Sequence, residues 1–226
     1  MDKREHIIEH LREYLLPERV ERIKNVVENR TRMIHVAVED TKHERNAGAL
    51  FRTCDCFGIQ DVSIIEKAYN RKVTQIISKG SEKWLHINKY NDENGRITAD
   101  CIDDLRSKGY QIVATTPHKA DVELTDFQIT EKTALLFGTE KEGLSEEALQ
   151  HADVRLTIPI YGFTESYNIS VSAALILQTL VTQLRQSDLP WQLNKEERLE
   201  LELEWIKRSI GRSAEELYQS ALSAVH

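Results

Sequence analysis

Apolar residues recur along this chain with two different periods. In the first segment Ile7, Leu11, Tyr14 and Leu15 fall on one face at helical spacing, and Leu16-Pro17 interrupts the pattern before a second short helix that runs to about Asn29. The spacing then shortens. "MIHVAVED" is a β-branched run ending in polar residues, and "ERNAGALFRTCDCFGIQDVSII" reads as loop, helix and strand, completing a β-α-β unit. The alternation continues with "WLHINKY" as a strand, "ITADCIDDLRSKG" as a helix stopped by Gly109, "YQIVATT" and "TALLFG" as strands, "LSEEALQHA" as a helix and "VRLTIPI" as a strand. Strands rich in Ile, Val and Leu that alternate with helices predict the α/β class, a mostly parallel sheet covered by helices on both faces. Beyond Gln186 a Pro-containing loop leads into "NKEERLELELEWIKRS", a helix expected to pack through Leu199, Leu203 and Trp205. The expected organisation is a helical extension over residues 1–30, one α/β domain over 31–187 and a second helical extension over 188–226.

Composition narrows the functional classes. The 226 residues are 40% hydrophobic and 30% charged with a net charge of -7, which fits one globular core rather than a disordered chain. No run approaches the roughly 18 apolar residues of a membrane span, and the charged amphipathic N-terminus lacks the apolar stretch of a secretory signal. A cytoplasmic location without membrane attachment is expected. Cys54, Cys56 and Cys101 cannot all pair and lack the company that a zinc site requires, while His6 and His10, four apart on a helix, have no third ligand in the pattern. No metal is expected. The sequons at Asn29 and Asn168 carry no weight in a cytosolic chain.

In an open parallel sheet, ligands bind beyond the carboxyl ends of the strands, so the loops there are the places to look for chemistry. "GTEKEGLS", Gly138 to Ser145, approaches a phosphate-binding loop, but Leu144 stands where the phosphate-gripping lysine belongs. No G-x-G-x-x-G follows a strand and no G-x-S-x-G occurs, which speaks against dinucleotide binding and serine hydrolysis. Three loop segments remain. "ERNAGALFRTCDCFG" carries Asn46 and Arg52, "LLFGTEKEGLS" carries Glu140 between glycines, and "IPIYGFTESYNISVSAAL" carries Ser166 and Asn168 at the mouth of a long apolar helix.

In that order the segments spell N-x-G-A-x-x-R-T, L-x-x-G-x-E-x-x-G-[LV]-S and I-P-[IM]-x-G-x-x-x-S-x-N-[VI]-S-V, and over about residues 34–186 the sequence resembles the SpoU/TrmH branch of the SPOUT methyltransferases. "SKGSEKWL", Ser78 to Leu85, is similar to the family's segment between the first two motifs. The resemblance implies an α/β fold with a deep C-terminal trefoil knot, a homodimer, S-adenosyl-L-methionine bound within the knot loops, and methylation of a ribose 2′-hydroxyl in RNA. By resemblance Asn46, Arg52, Glu140, Ser166 and Asn168 line the reaction site, while Thr115, Leu136, Gly138, Ile158 and Tyr167 hold the cofactor, Leu136 and Ile158 as an adenine face. Arg52 occupies the position that contacts the reacting hydroxyl. Because a guanidinium remains protonated, it suits a charge that holds phosphate and stabilises a developing alkoxide better than a general base. Asn46 is also expected to cap a helix over 47–57, Ser166 and Asn168 to cap the helix that follows them, and Gly138, Gly143 and Gly162 to permit close backbone approach.

Net negative charge opposes RNA binding, so local charge has to supply the attraction. Six basic residues face two acids between Glu66 and Lys89, and eight basic residues accompany seven acids in residues 1–32. Arg45 precedes Asn46 where relatives often carry His, which adds a phosphate contact and loosens the transfer of substrate detail. The resemblance points to the D-loop guanosine of tRNA, position 18, with ribosomal RNA as the alternative target. The segment before the core is too short for the RNA-binding domain common among ribosomal-RNA relatives.

Overall fold

The computed structural model describes residues 3–39, 44–66, 80–91, 97–118, 120–139 and 142–224. The chain divides into two compact units, one spanning Thr31–Trp191 and the other joining Met1–Arg30 with Gln192–His226.

The larger unit is built on seven strands: β1 (Ile34–Glu39), β2 (Asp61–Glu66), β3 (His86–Asn91), β4 (Gln111–Thr115), β5 (Val122–Glu123), β6 (Thr133–Phe137) and β7 (Val154–Thr157). They pair in the order β3-β2-β1-β6-β4-β7-β5, and every pairing is parallel. Parallel neighbours need crossovers, and helices supply them: α3 (Glu44–Cys56) between β1 and β2, α4 (Ile97–Ser107) between β3 and β4, and α5 (Glu146–His151) between β6 and β7. A long helix, α6 (Ile169–Gln186), follows β7. Alternation along β1 sends Ile34, Val36 and Val38 into one core, with Leu50 and Phe51 of α3 and Ile176 and Leu180 of α6. Ala37 faces the other, with Ile102 and Leu105 of α4 and Ala148 of α5. Helices therefore cover both faces, and the near-continuous apolar reading of β1 and β6 follows from burial on two sides. The two-residue β5 is too short to leave a periodic signal in the sequence.

The smaller unit contains α1 (Lys3–Arg12), α2 (Pro17–Glu28), α7 (Lys195–Ile210) and α8 (Ala214–Ala224). Segments from the two ends of the chain thus share one core, with Ile7, Ile8, Leu11, Ile23, Val27, Leu201, Trp205 and Ile206 all buried. Two expectations shift. Tyr14 lies past the end of α1 and is half exposed, and α7 buries Leu201, Trp205 and Ile206, leaving Leu199 and Leu203 only partly covered. For α7 the reason is electrostatic. Glu202 sits on the buried face because Arg12 binds its Oε1 through Nε at 3.0 Å and through a second nitrogen at 2.5 Å, so a charged residue occupies a position that a hydrophobic stripe would have excluded.

One buried histidine makes the larger unit sensitive to acid. His35 of β1 is almost fully covered, its Nε2 lies 2.8 Å from Ser63 Oγ, and its ring meets Tyr110 edge-on at 5.5 Å. Burial lowers its pKa from 6.5 to about 4, and attraction to Asp61 recovers only part of that shift. Between those values the unfolded chain takes up a proton that the folded chain refuses, so stability must fall as pH falls. Asp61 adds a loss at lower pH: burial raises its pKa, but the hydrogen bond with His86 and the charge of Arg32 outweigh that and hold it below the usual carboxylate value. Urea titrations at pH 7 and pH 4.5 should show a His35-dependent loss of about 2 kcal/mol. His35→Gln should remove most of that difference, and an equal pH slope in both proteins would refute the assignment.

Candidate active site at the carboxyl ends of the central strands

Because β1, β6, β4 and β7 are consecutive neighbours and all parallel, the segments that follow them leave the sheet at the same edge. The three motifs are those segments: α3 after β1, Gly138–Ser145 after β6, and the run from Ile158 to Asn168 after β7. Thr115 ends β4 half-buried, and its Oγ1 donates to the Leu136 carbonyl at 2.8 Å, while the amide of Thr116 donates to the Leu156 carbonyl at 2.9 Å. These bonds lock the three strand ends together.

The second-motif loop is fastened at both ends. Thr139 and Gly143 exchange backbone hydrogen bonds of 3.0 Å each, and Gly143 takes a left-handed φ of 71°. Gly138 lies so close to this pair that a methyl group there would overlap the Gly143 carbonyl and the Leu144 nitrogen. At the exit Ser145 caps α5, its Oγ accepting from the amide of Ala148 at 3.2 Å. Ser145 also gives both its amide and its hydroxyl to the Glu39 carboxylate at the end of β1, each at 2.6 Å, and Thr98 of α4 adds a third donor at 2.7 Å. Sequence reasoning passed over Glu39 and Thr98. The only signal was an acid closing an apolar strand, a position that usually marks the start of a solvated loop. Gly162, by contrast, has nothing near its missing side chain and an ordinary φ, so the expected close approach there is not found.

In the third motif Tyr167 reaches back to the Pro159 carbonyl at 3.4 Å, closing a loop whose Tyr161, Phe163 and Ser166 are exposed. Asn168 is the cap of α6, its Oδ1 accepting from the amide of Ser170 at 2.9 Å and from its hydroxyl at 2.6 Å. Ser166 takes no part in that cap, so the shared capping role expected of the two residues falls to Asn168. Ile158 is half-buried and packs against the core. Leu136 departs from expectation, since its side chain is sealed in the core with Ala37, Ile112 and Leu144 and cannot form an adenine face.

The first motif also differs in phase. α3 begins at Glu44, so Asn46 lies half-buried in its first turn rather than capping a helix that starts at 47. Arg52 is exposed, and α3 packs directly against α6, which brings the first- and third-motif helices together. Glu140 falls outside the described residues, as do Lys67, Arg71, Lys72 and Lys79, and of Arg45 only the backbone is described. Among the described residues no group of three or more His, Cys, Asp or Glu is arranged to hold a metal ion, and no helix is long and apolar enough to cross a membrane.

The sequence profile of the SpoU rRNA Methylase family matches residues 33–178. A curated protein of Borreliella burgdorferi, named tRNA (guanosine(18)-2'-O)-methyltransferase, is 37% identical over 200 residues, covering 88% of this chain and 89% of that one. One of the same name from Aquifex aeolicus is 33% identical over 167 residues, covering 73% and 77%. The crystal structure of the Aquifex aeolicus TrmH/SpoU tRNA modifying enzyme superposes with a TM-score of 0.74 at 28% identity, over 85% of this chain and 96% of that one. The SpoU methyltransferase AviRb from Streptomyces viridochromogenes, solved in complex with AdoMet, superposes with a TM-score of 0.60 at 25% identity over 72% and 65%.

The pinch at the second-motif loop can be measured. Gly138→Ala should cost about 3 kcal/mol in urea unfolding, because backbone rather than a pliable side chain must yield. Gly162→Ala should change stability by less than about 1 kcal/mol. Equal effects at the two positions would refute the distinction between them.

Proposed function

Because this chain belongs to the SpoU rRNA Methylase family, we propose that it is an S-adenosyl-L-methionine-dependent methyltransferase acting on a ribose 2′-hydroxyl of tRNA, with the D-loop guanosine at position 18 as its target. The observation that carries the reading is the arrival of three separate motif segments at neighbouring carboxyl ends of one parallel sheet. The names of the relatives from Borreliella burgdorferi and Aquifex aeolicus support the choice of tRNA and of the guanosine. Thr31–Trp191 serves as the catalytic domain and the joined terminal helices as an extension of it.

The strand ends suit the cofactor chemically. Ile158 offers a half-buried apolar contact for an adenine, the backbone around Thr115 and Gly138 offers polar partners, and Tyr167 borders the loop. When bound, S-adenosyl-L-methionine supplies an electrophilic methyl group on a sulfonium. With the cofactor in place the ribose oxygen would take the methyl group as the S–CH3 bond breaks, S-adenosylhomocysteine would leave, and the hydroxyl proton would pass to phosphate or water. Arg52 holds a neighbouring phosphate and stabilises negative charge on the attacking oxygen. Asn46, Glu140, Ser166 and Asn168 orient the ribose and the loops around it.

A second copy of the chain completes the assembly. Val171 and Leu175, four residues apart in the first turns of α6, are 45% and 40% exposed, and this apolar face supports a homodimer. We assign the activity to the cytoplasm, a reading supported by the tRNA substrate in the names of its relatives. Ribosomal RNA is the second reading, favoured by the match to the SpoU rRNA Methylase family. Mapping of 2′-O-methyl sites with and without the gene separates the two targets.

Incubation with labelled cofactor and unmodified tRNA should place methyl groups on a ribose. Arg52→Ala should reduce that transfer by roughly 100-fold to 1,000-fold while leaving tRNA affinity within about twofold. Equal loss of transfer and binding would favour a non-catalytic RNA-binding protein instead.

A further inference from the structure

Resting on the methyltransferase reading above, the geometry points to Glu39 as the positioning residue that fixes the second-motif loop against the strand ends and so sets how tightly S-adenosyl-L-methionine is held. Glu39 closes β1 and is only 4% exposed. Its Oε2 accepts from the Ser145 amide at 2.6 Å, and its Oε1 accepts from Ser145 Oγ at 2.6 Å and from Thr98 Oγ1 at 2.7 Å. Three elements therefore meet on one side chain: the end of β1, the first turn of α4 and the cap of α5.

The residue type is the one the site requires. A carboxylate has two oxygens and no donor, so it serves a backbone amide and two hydroxyls together. A glutamine has one oxygen and would turn its donor nitrogen toward one of those groups. Helix capping does not explain the arrangement, because Ser145 caps α5 through its bond from Ala148 whether or not Glu39 is present. What Glu39 adds is location. β1 lies beside β6, so anchoring Ser145 to the end of β1 holds the loop exit next to its entrance, which the Thr139–Gly143 pair has already closed. Thr139, Gly143 and Ser145 are then fixed relative to Gly138 and to the bond from Thr115 to Leu136. Without the carboxylate the exit is released while the strands stay paired.

The test measures cofactor affinity directly on the full-length protein, by calorimetric titration with S-adenosyl-L-methionine, beside steady-state kinetics with tRNA and thermal melting. Glu39→Ala should weaken cofactor binding roughly 10-fold to 100-fold and raise the KM for cofactor in parallel, as expected when positioning is lost at a distance from the reacting atoms. The KM for tRNA should stay within about twofold. Glu39→Gln should fall between wild type and Glu39→Ala, because its single oxygen still accepts the Ser145 amide. Thr98→Val, which removes one of the donors to Glu39, should have the smallest effect. A residue that merely supports the fold would lower the number of binding sites per chain and leave the affinity of the remaining sites unchanged. Wild-type affinity in folded Glu39→Ala overturns the inference, and if that variant does not fold, wild-type affinity in Glu39→Gln does so. Wild-type protein that binds no S-adenosyl-L-methionine overturns the functional reading itself, and this inference with it.

Discussion

The insertion of β6 between β1 and β4 is the constraint on which the larger unit depends. β6 comes late in the chain, yet it pairs with the first strand of the sheet over Ile34↔Thr133 to Val38↔Phe137 and with β4 on its other side. All five of its residues are buried, and its first amide donates to the Met33 carbonyl at 2.8 Å. A strand buried on both faces and paired on both edges leaves no backbone group for water to satisfy, so its register is tightly specified. Once β6 is in place, the loops after β1, β6, β4 and β7 must share one edge of the sheet. The site is a consequence of strand order before any site residue is considered.

Polar groups buried near that edge and at its opposite end do different work. Toward the strand starts, Arg32 bonds Asp61 through Nε at 3.0 Å, and His86 lies 3.3 Å from the same carboxylate. Toward the strand ends, Glu39 gathers Ser145 and Thr98. Each group is costly to bury unless its partners are all present, so each specifies a particular arrangement of elements rather than general compactness. The first holds β1, β2 and β3 in line. The second joins a strand end to a loop exit and a helix start, which is where a ligand site needs rigidity.

The helical unit follows the same logic in a simpler form. Apolar faces of α1, α2, α7 and α8 meet, and the Arg12–Glu202 pair places a carboxylate on the buried side of α7. Arg30 stacks over the Trp205 ring at 5.0 Å, a cation–aromatic contact in the interior of that unit. Helices from the two ends of the chain are thereby held in a common core.

The sequence by itself determined the α/β class, six of the seven strands and the order of the three motifs, because periodicity, β-branched runs and residue spacing are local properties of the chain. It also placed Asn168 at the start of α6, since an asparagine before an apolar helical run has few other uses. What the chain could not show locally was decided by tertiary structure. The order of strands depends on pairings a hundred residues apart, as between β1 and β6. The burial of Leu136 depends on which face of that strand meets α4, and the phase of α3 turns Asn46 from a cap into a residue of the first turn. Glu39 shows the limit most plainly. In sequence it is an acid at the end of a strand. Its partners lie 59 and 106 positions away, and only folding brings them within hydrogen-bond reach.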